Sequence, residues 1–145
     1  MKRKAAPEDS PVKSVLHPNQ FQVNEAWIAF QLNETPISAG RDGAFNCICL
    51  MDAASCYLLG TELIPTSEAE PSQTQARDML TAAWAKKEEF PRTLFVPTGQ
   101  FQGTLKAEAE RLGLAVVSAP EDQLLVFIGE ARDSYREHME HTRNP

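Results

Sequence analysis

The sequence predicts an α/β domain built as a three-layer mixed sheet of five strands, in the order β-β-β-α-β-α-β-α, with helices on its faces. Three observations predict it. Short apolar runs rich in aromatic and β-branched residues fill the first part of the chain, separated by turns with no room for a helix. From about residue 72 the hydrophobic spacing changes to that of a helix. Thereafter helical stripes alternate with short strand-like runs, which implies parallel pairing late in the sheet and antiparallel pairing early.

The first structured run is Glu25-Ala26-Trp27-Ile28-Ala29-Phe30-Gln31-Leu32, whose lack of strict alternation indicates a strand covered on both faces. Asn33-Glu34-Thr35-Pro36 and Gly40-Arg41-Asp42-Gly43 punctuate a loop. Runs over residues 44–51 and 56–64 flank Asp52-Ala53-Ala54-Ser55, a hairpin in which Asp52 and Ser55 supply turn hydrogen bonds. Gly60 marks a bulge or a close approach of another backbone.

Ala76, Met79, Leu80, Ala83 and Trp84 form one helical stripe, preceded by the capping box of Ser72 and Gln75. Phe90-Pro91 leads into a short buried strand over residues 92–96, closed by a turn at Pro97-Thr98-Gly99. A second helix is expected over residues 103–112 with Gly113 as its left-handed terminator. The fifth strand is Leu114-Ala115-Val116-Val117-Ser118, and Asp122 is expected to cap a last helix striped by Leu124, Phe127, Ile128, Ala131, Tyr135 and Met139.

A chain of 145 residues suits one domain, and the reading places a flexible tail over residues 1–20 and the single domain over 21–143. Met1-Lys2-Arg3-Lys4 is basic, but no apolar segment follows it, so secretion is not supported. No apolar run approaches the ~18 residues of a membrane-spanning helix. The net charge of −6 argues against a surface made for phosphates or anionic lipid. Cys47, Cys49 and Cys56 are an odd number with no Cys-x-x-Cys pair, and they read as small buried hydrophobes in a reducing, cytoplasmic setting. Cys47 and Cys49, two apart in a strand, point the same way.

The element order, with these local patterns, resembles the RNase H-like fold of integrases and transposases. Trp27-Ile28-Ala29-Phe30 is similar to that family's first-strand Trp-x-x-Asp, and residues 50–60 resemble its hairpin with an Asp and a Ser at the turn. Val96-Pro97-Thr98-Gly99-Gln100-Phe101 is similar to the family's Ser-Asp-x-Gly followed by Phe, with Leu105 and Arg111-Leu112-Gly113-Leu114 beyond it. The resemblance covers the chain from Trp27 to the end of the last helix. It implies an enzyme in which three or four carboxylates hold two divalent metals. Here the first-strand acid falls on Phe30 (Gln31 if the register slips by one) and the fourth-strand acid on Pro97, next to Thr98. Phe and Pro carry no side-chain oxygen. Only the third acid has candidates, in Glu121, Asp122 or Glu130.

The leading expectation is therefore a non-catalytic RNase H-like module that binds a protein partner or itself, with no cofactor, no metal, and no nucleic-acid or membrane partner. The alternative is a divergent metal-dependent nuclease or strand-transfer enzyme with relocated acids, using Asp52 with Glu121 or Asp122. Glu62 is a further acid in the hairpin region, read as solvent-facing. A weaker alternative is a small-ligand sensor. Its contact residues would be Thr98, Gly99, Gln100 and Phe101, in a flexible loop at a strand's carboxyl end, where α/β sheets tend to bind ligands. His138 and His141 sit at helical spacing but near a frayed end, and His17 has no nucleophile beside it. Gly-x-Ser-x-Gly, Gly-x-Gly-x-x-Gly and P-loop motifs do not occur.

Overall fold

The computed structural model describes residues 16–143. Its strands are β1 (Ala26–Gln31), β2 (Ile37–Ser38), β3 (Ala44–Asp52), β4 (Leu58–Pro65), β5 (Thr93–Pro97) and β6 (Ala115–Ala119). Its helices are α1 (Gln73–Lys87), α2 (Thr104–Arg111) and α3 (Glu121–Arg143). Of the expected tail, residues 1–15 lie outside the described residues. Pro18–Gln20 forms one 3₁₀ turn, capped by His17, whose Nδ1 accepts from Asn19 N at 3.2 Å.

β1, β3 and β4 form the antiparallel meander, and β5 and β6 add in parallel on the far side of β1. The sheet has six strands where five were expected, and the extra one is two residues long. Phe45 of β3 pairs with Pro65 of β4 and also with Ile37 of β2, so β2 lies on the edge of β3 that β1 uses. It continues the lane of β1 after a detour over residues 32–36. In width the sheet is the five lanes β4-β3-β1-β5-β6. Asn33 holds the detour: its buried amide donates to Thr35 O and Asn46 Oδ1, while its Oδ1 accepts from Cys47 N at 2.7 Å.

The central strand is covered on both faces, as its sequence implies. Trp27 and Ala29 face a core made with Ala76, Met79, Leu80 and Ala83 of α1 and Leu105 and Ala109 of α2. Ile28 and Phe30 face a second core with Leu124, Phe127 and Ile128 of α3. The helices thus fall on opposite faces because consecutive residues of a strand point oppositely. Trp84, expected in the α1 stripe, is 42% exposed and touches the core through Phe90.

Local signals in the sequence appear as expected at several points. Ser72 and Gln75 form the reciprocal capping box of α1. Gly113 adopts φ 94° after α2. β3 and β4 shift register between Leu50 and Met51, opposite Gly60, and the Met79 carbonyl of α1 lies 3.2 Å from where a Cβ on Gly60 would be. At α3 the expectation is corrected. The helix begins at Glu121, so Asp122 lies within its first turn and the preceding residue is Pro120, which has no side-chain acceptor. Glu121 and Asp122 instead meet the positive end of the helix dipole.

Candidate functional site

The carboxyl ends of β1 and β5 open onto a cleft of about 700 Å³ lined by Gln31, Asn33, Asn46, Gln100, Glu121 and Arg132, among others. The parallel register pairs Ile28 with Phe95, and continued two residues it sets Phe30 beside Pro97. The two positions at which the resemblance expects carboxylates are therefore lateral neighbours at the strand ends that border this cleft, although neither side chain lines it. Phe30 is fully buried against α3, and Pro97 is buried at the last position of β5.

Arg132 of α3 reaches back to the same place. Its Nε and Nη2 donate to the Gln31 carbonyl at 3.0 and 2.8 Å, and Nη2 also donates to Glu121 Oε2 at 2.9 Å. Its side chain is only 11% exposed, against 44% for Glu121. The guanidinium caps the carbonyl at the end of the central strand and pairs the acid nearest to it. A cationic group, fixed by three contacts, thus stands one residue beyond Phe30. Nothing in the sequence pattern singles out Arg132, because its partners lie 101 and 11 residues away.

The acids of the relocated-site alternative are not brought together. Asp52 pairs with Trp27, at the start of β1, whereas Glu121 contacts Arg132 at its end. Trp27 and Gln31 are four residue steps apart along the strand, about 13 Å of rise. Asp52 is fully buried and accepts from Asn24 N at 2.6 Å, Ser55 N at 2.9 Å and Ser55 Oγ at 2.8 Å. These are the bonds of a turn cap. Among the described residues no three His, Cys, Asp or Glu side chains converge on one point. Glu62 is half-buried, and its Oε2 accepts from Gln75 Nε2 at 3.5 Å.

The residues expected as a contact loop divide. Gln100 lines the cleft, as do Glu121 and Asp122. Thr98 and Gly99 are exposed, but Phe101 is 4% exposed and belongs to the core under α1 and α2, with φ 55°. That corrects the picture of a wholly exposed, flexible loop. Its far end is pinned by Glu70, whose carboxylate accepts from Gly103 N and Leu105 N, both at 3.0 Å, and so caps α2. His138 lies on α3, and the side chain of His141 is outside the described residues.

No protein-family model matches the chain, and no curated protein matches it by sequence. Solved structures do match. The chain is similar to the catalytic core domain of BIV integrase, with a TM-score of 0.55 and 10% identity over 83% of this chain and 72% of that one. The fold is RNase H-like. The chain is also similar to a component of the simian T-cell lymphotropic virus intasome in complex with PP2A regulatory subunit B56 gamma. That match has a TM-score of 0.50 and 11% identity over 90% of this chain, which spans 45% of that one. In RNase H-like terms the cleft lies over the two strand ends where the resemblance expects metal-binding acids, with Glu121 and Asp122 at the start of the last helix facing the same space.

Proposed function

We propose that the chain is a non-catalytic RNase H-like module that works by binding a protein partner or a second copy of itself, through the cleft at the ends of β1 and β5. The observation that carries the reading is Arg132. A guanidinium bound to the Gln31 carbonyl and Glu121 puts positive charge beside the place where the fold's enzymes gather carboxylates around cations. Phe30 and Pro97 supply no oxygen to offset it. Two Mg²⁺ ions need several oxygen ligands in octahedral geometry, and Glu121 and Asp122 alone do not provide them.

The surface is suited to protein rather than nucleic acid, given a net charge of −6. Leu125 is 47% exposed on the cleft wall and offers an apolar contact among amides and acids. The simian intasome carries this fold within an assembly that includes a PP2A subunit. No helix among the described residues is long and apolar enough to cross a membrane, and the three free cysteines suit a reducing cytoplasm.

The test is a titration of the full chain with Mg²⁺ and Mn²⁺, followed by melting temperature, alongside cleavage of single- and double-stranded DNA and RNA. The expected outcome is no melting shift and no cleavage. A rise of several degrees, which mass action requires of native-state binding, overturns the reading if Glu121→Gln abolishes it. Cleavage lost in the same variant restores the nuclease alternative.

A further inference from the structure

The sheet ends on β4 at one side and β6 at the other, and only the first edge is guarded. β4 carries the register shift at Gly60, the charge of Glu62 and Pro65 at its end, features that keep an edge strand from pairing with another chain. β6 reads Ala115-Val116-Val117-Ser118-Ala119, with no charge, no proline and an unbroken register against β5. Among the described residues no strand pairs with its outer side. From this edge we infer that a second copy of the chain adds to β6, antiparallel and about a two-fold axis at Val117, so that the two sheets continue into one. No residue of β6 lines the cleft, and the inference does not rest on the function proposed for it.

The open hydrogen-bonding groups select that register. Ala115 N donates to Arg92 O at 2.8 Å and Ala119 O accepts from Thr98 N at 2.9 Å, so these alternate residues face β5. Alternation along the strand turns the N–H and C=O of Val116 and Ser118 outward. Beyond them the edge closes. Leu114 N donates to Ala109 O at 3.0 Å, and Pro120 has no N–H. An axis at Val116 would call on Leu114 N, and one at Ser118 on the missing N–H of Pro120. With the axis at Val117, Val116 of each copy exchanges two bonds with Ser118 of the other, and every open group of both strands is used.

The side chains agree with it. Val116 packs against the core under α1 and α2, so Val117 projects from the opposite face, where α3 leaves it 41% exposed. In this register the two Val117 side chains meet as a non-hydrogen-bonded pair, the closer kind across an antiparallel ladder. Ala115 and Ser118 point to opposite faces and both are exposed, so neither α3 nor α2 overhangs the edge. Charge favours the antiparallel sense. Arg92 and Arg111, both exposed, border the start of β6, and Glu121 and Asp122 follow its end. An antiparallel copy sets the basic end of each strand against the acidic end of the other, whereas parallel addition sets like against like. One strand pair is a small interface, so the dimer is a reversible one.

The test is sedimentation equilibrium of the reduced full chain from ~1 to ~500 μM, a range that spans weak, reversible association. The expected result is a concentration-dependent dimer. Val117→Lys sets like charges opposite each other at the axis, and Ser118→Pro removes an outward N–H that β5 does not use. Each is expected to weaken association about tenfold or more with circular dichroism unchanged. An equimolar mixture of Val117→Lys and Val117→Glu is expected to restore the dimer, because an axis at Val117 sets the two residues 117 face to face. Leu125→Asp, on the cleft wall, is expected to leave it intact. If Val117→Lys fails to fold, Ser118→Pro decides the matter. The inference is overturned by a chain that stays monomeric, which would leave the edge to a strand of another protein. It is also overturned by a dimer that both edge variants leave intact, by a mixture no tighter than either variant alone, or by association lost in Leu125→Asp instead.

Discussion

Replacing Arg132 by Met keeps an unbranched apolar stem and removes the guanidinium. In the folded protein that group makes two hydrogen bonds to one acceptor, the Gln31 carbonyl, and an ion pair with Glu121, a carboxylate 44% exposed. The shared acceptor makes the first two count as one charge-assisted interaction, worth ~1.5–3 kcal/mol, at the low end here because water in the open cleft can replace part of it. The ion pair adds ~0.5 kcal/mol after allowing for solvent at Glu121. The total is about 2 kcal/mol, or ~6 °C in melting temperature for a domain of this size. Thermal unfolding by circular dichroism reads it, and a double-mutant cycle with Glu121→Gln isolates the ion pair, with an expected coupling of ~0.5 kcal/mol. Mn²⁺ is expected to leave the Arg132→Met melting curve unmoved, since Phe30 and Pro97 still lack ligand oxygens. A melting temperature within about 1 °C of the parent, below ~0.5 kcal/mol, refutes the claim that Arg132 secures this strand end.

Three other changes probe the scaffold. Asp52→Ala leaves Asn24 N and Ser55 N without their acceptor, at ~1–2 kcal/mol each, and is expected to lower the melting temperature by ~10 °C. An unchanged curve would remove the turn-cap assignment and return Asp52 to the functional candidates. Gly60→Val drives branched carbons into the Met79 carbonyl, which already lies 3.2 Å from a Cβ position, and is expected to cost ~2 kcal/mol by urea denaturation. Glu108 of α2 has its carboxyl lowered to about 2, first by the Arg111 guanidinium at 2.7 Å, then by the Gln73 amide, against burial, and by Arg77. The folded-state value is depressed, so its stabilisation is present above the ordinary carboxyl range near 4.5 and is lost as pH falls toward 2. Glu108→Gln is expected to flatten the stability curve between those limits, and an unaltered acid limb in urea midpoints would contradict the assignment.

The parts of the fold that were legible in the sequence are those set by local period and local caps. The switch from apolar runs to a 3.6-residue stripe at Ala76 separates meander from crossover, and Ser72 with Gln75 marks the helix start to the residue. Asp52 and Ser55 are three residues apart, so their turn is written in the sequence itself. What was not legible depends on residues distant in the chain. Glu70 caps α2 from 33 residues upstream, which is why Gly103 needs no capping side chain and why the loop before it is held down. Phe101 looked like a loop residue because no periodic run contains it. Its left-handed backbone turns the ring under α1 and α2, where burial outweighs the local cost of a positive φ.

The candidate site divides along the same line. That Phe30 and Pro97 belong together was implied by the family resemblance, and the β1–β5 register makes the two positions neighbours, because a parallel ladder fixes which residues of two strands lie side by side. The sequence could mark only what is missing there, since Phe and Pro declare the want of an oxygen by their identity. It could not mark Arg132. Arg132 is one of several arginines on the last helix, alike in sequence to Arg136, which pairs with Glu34 and Asp133 at the surface. What distinguishes Arg132 is its angle on α3, level with the end of β1, so that its guanidinium reaches an otherwise open carbonyl rather than solvent. The want of a carboxylate at Phe30 and Pro97 is by itself compatible with relocated chemistry. A guanidinium fixed on the Gln31 carbonyl beside the same strand end is a positive observation rather than an absence, and for that reason the proposed function rests on Arg132 more than on Phe30 or Pro97.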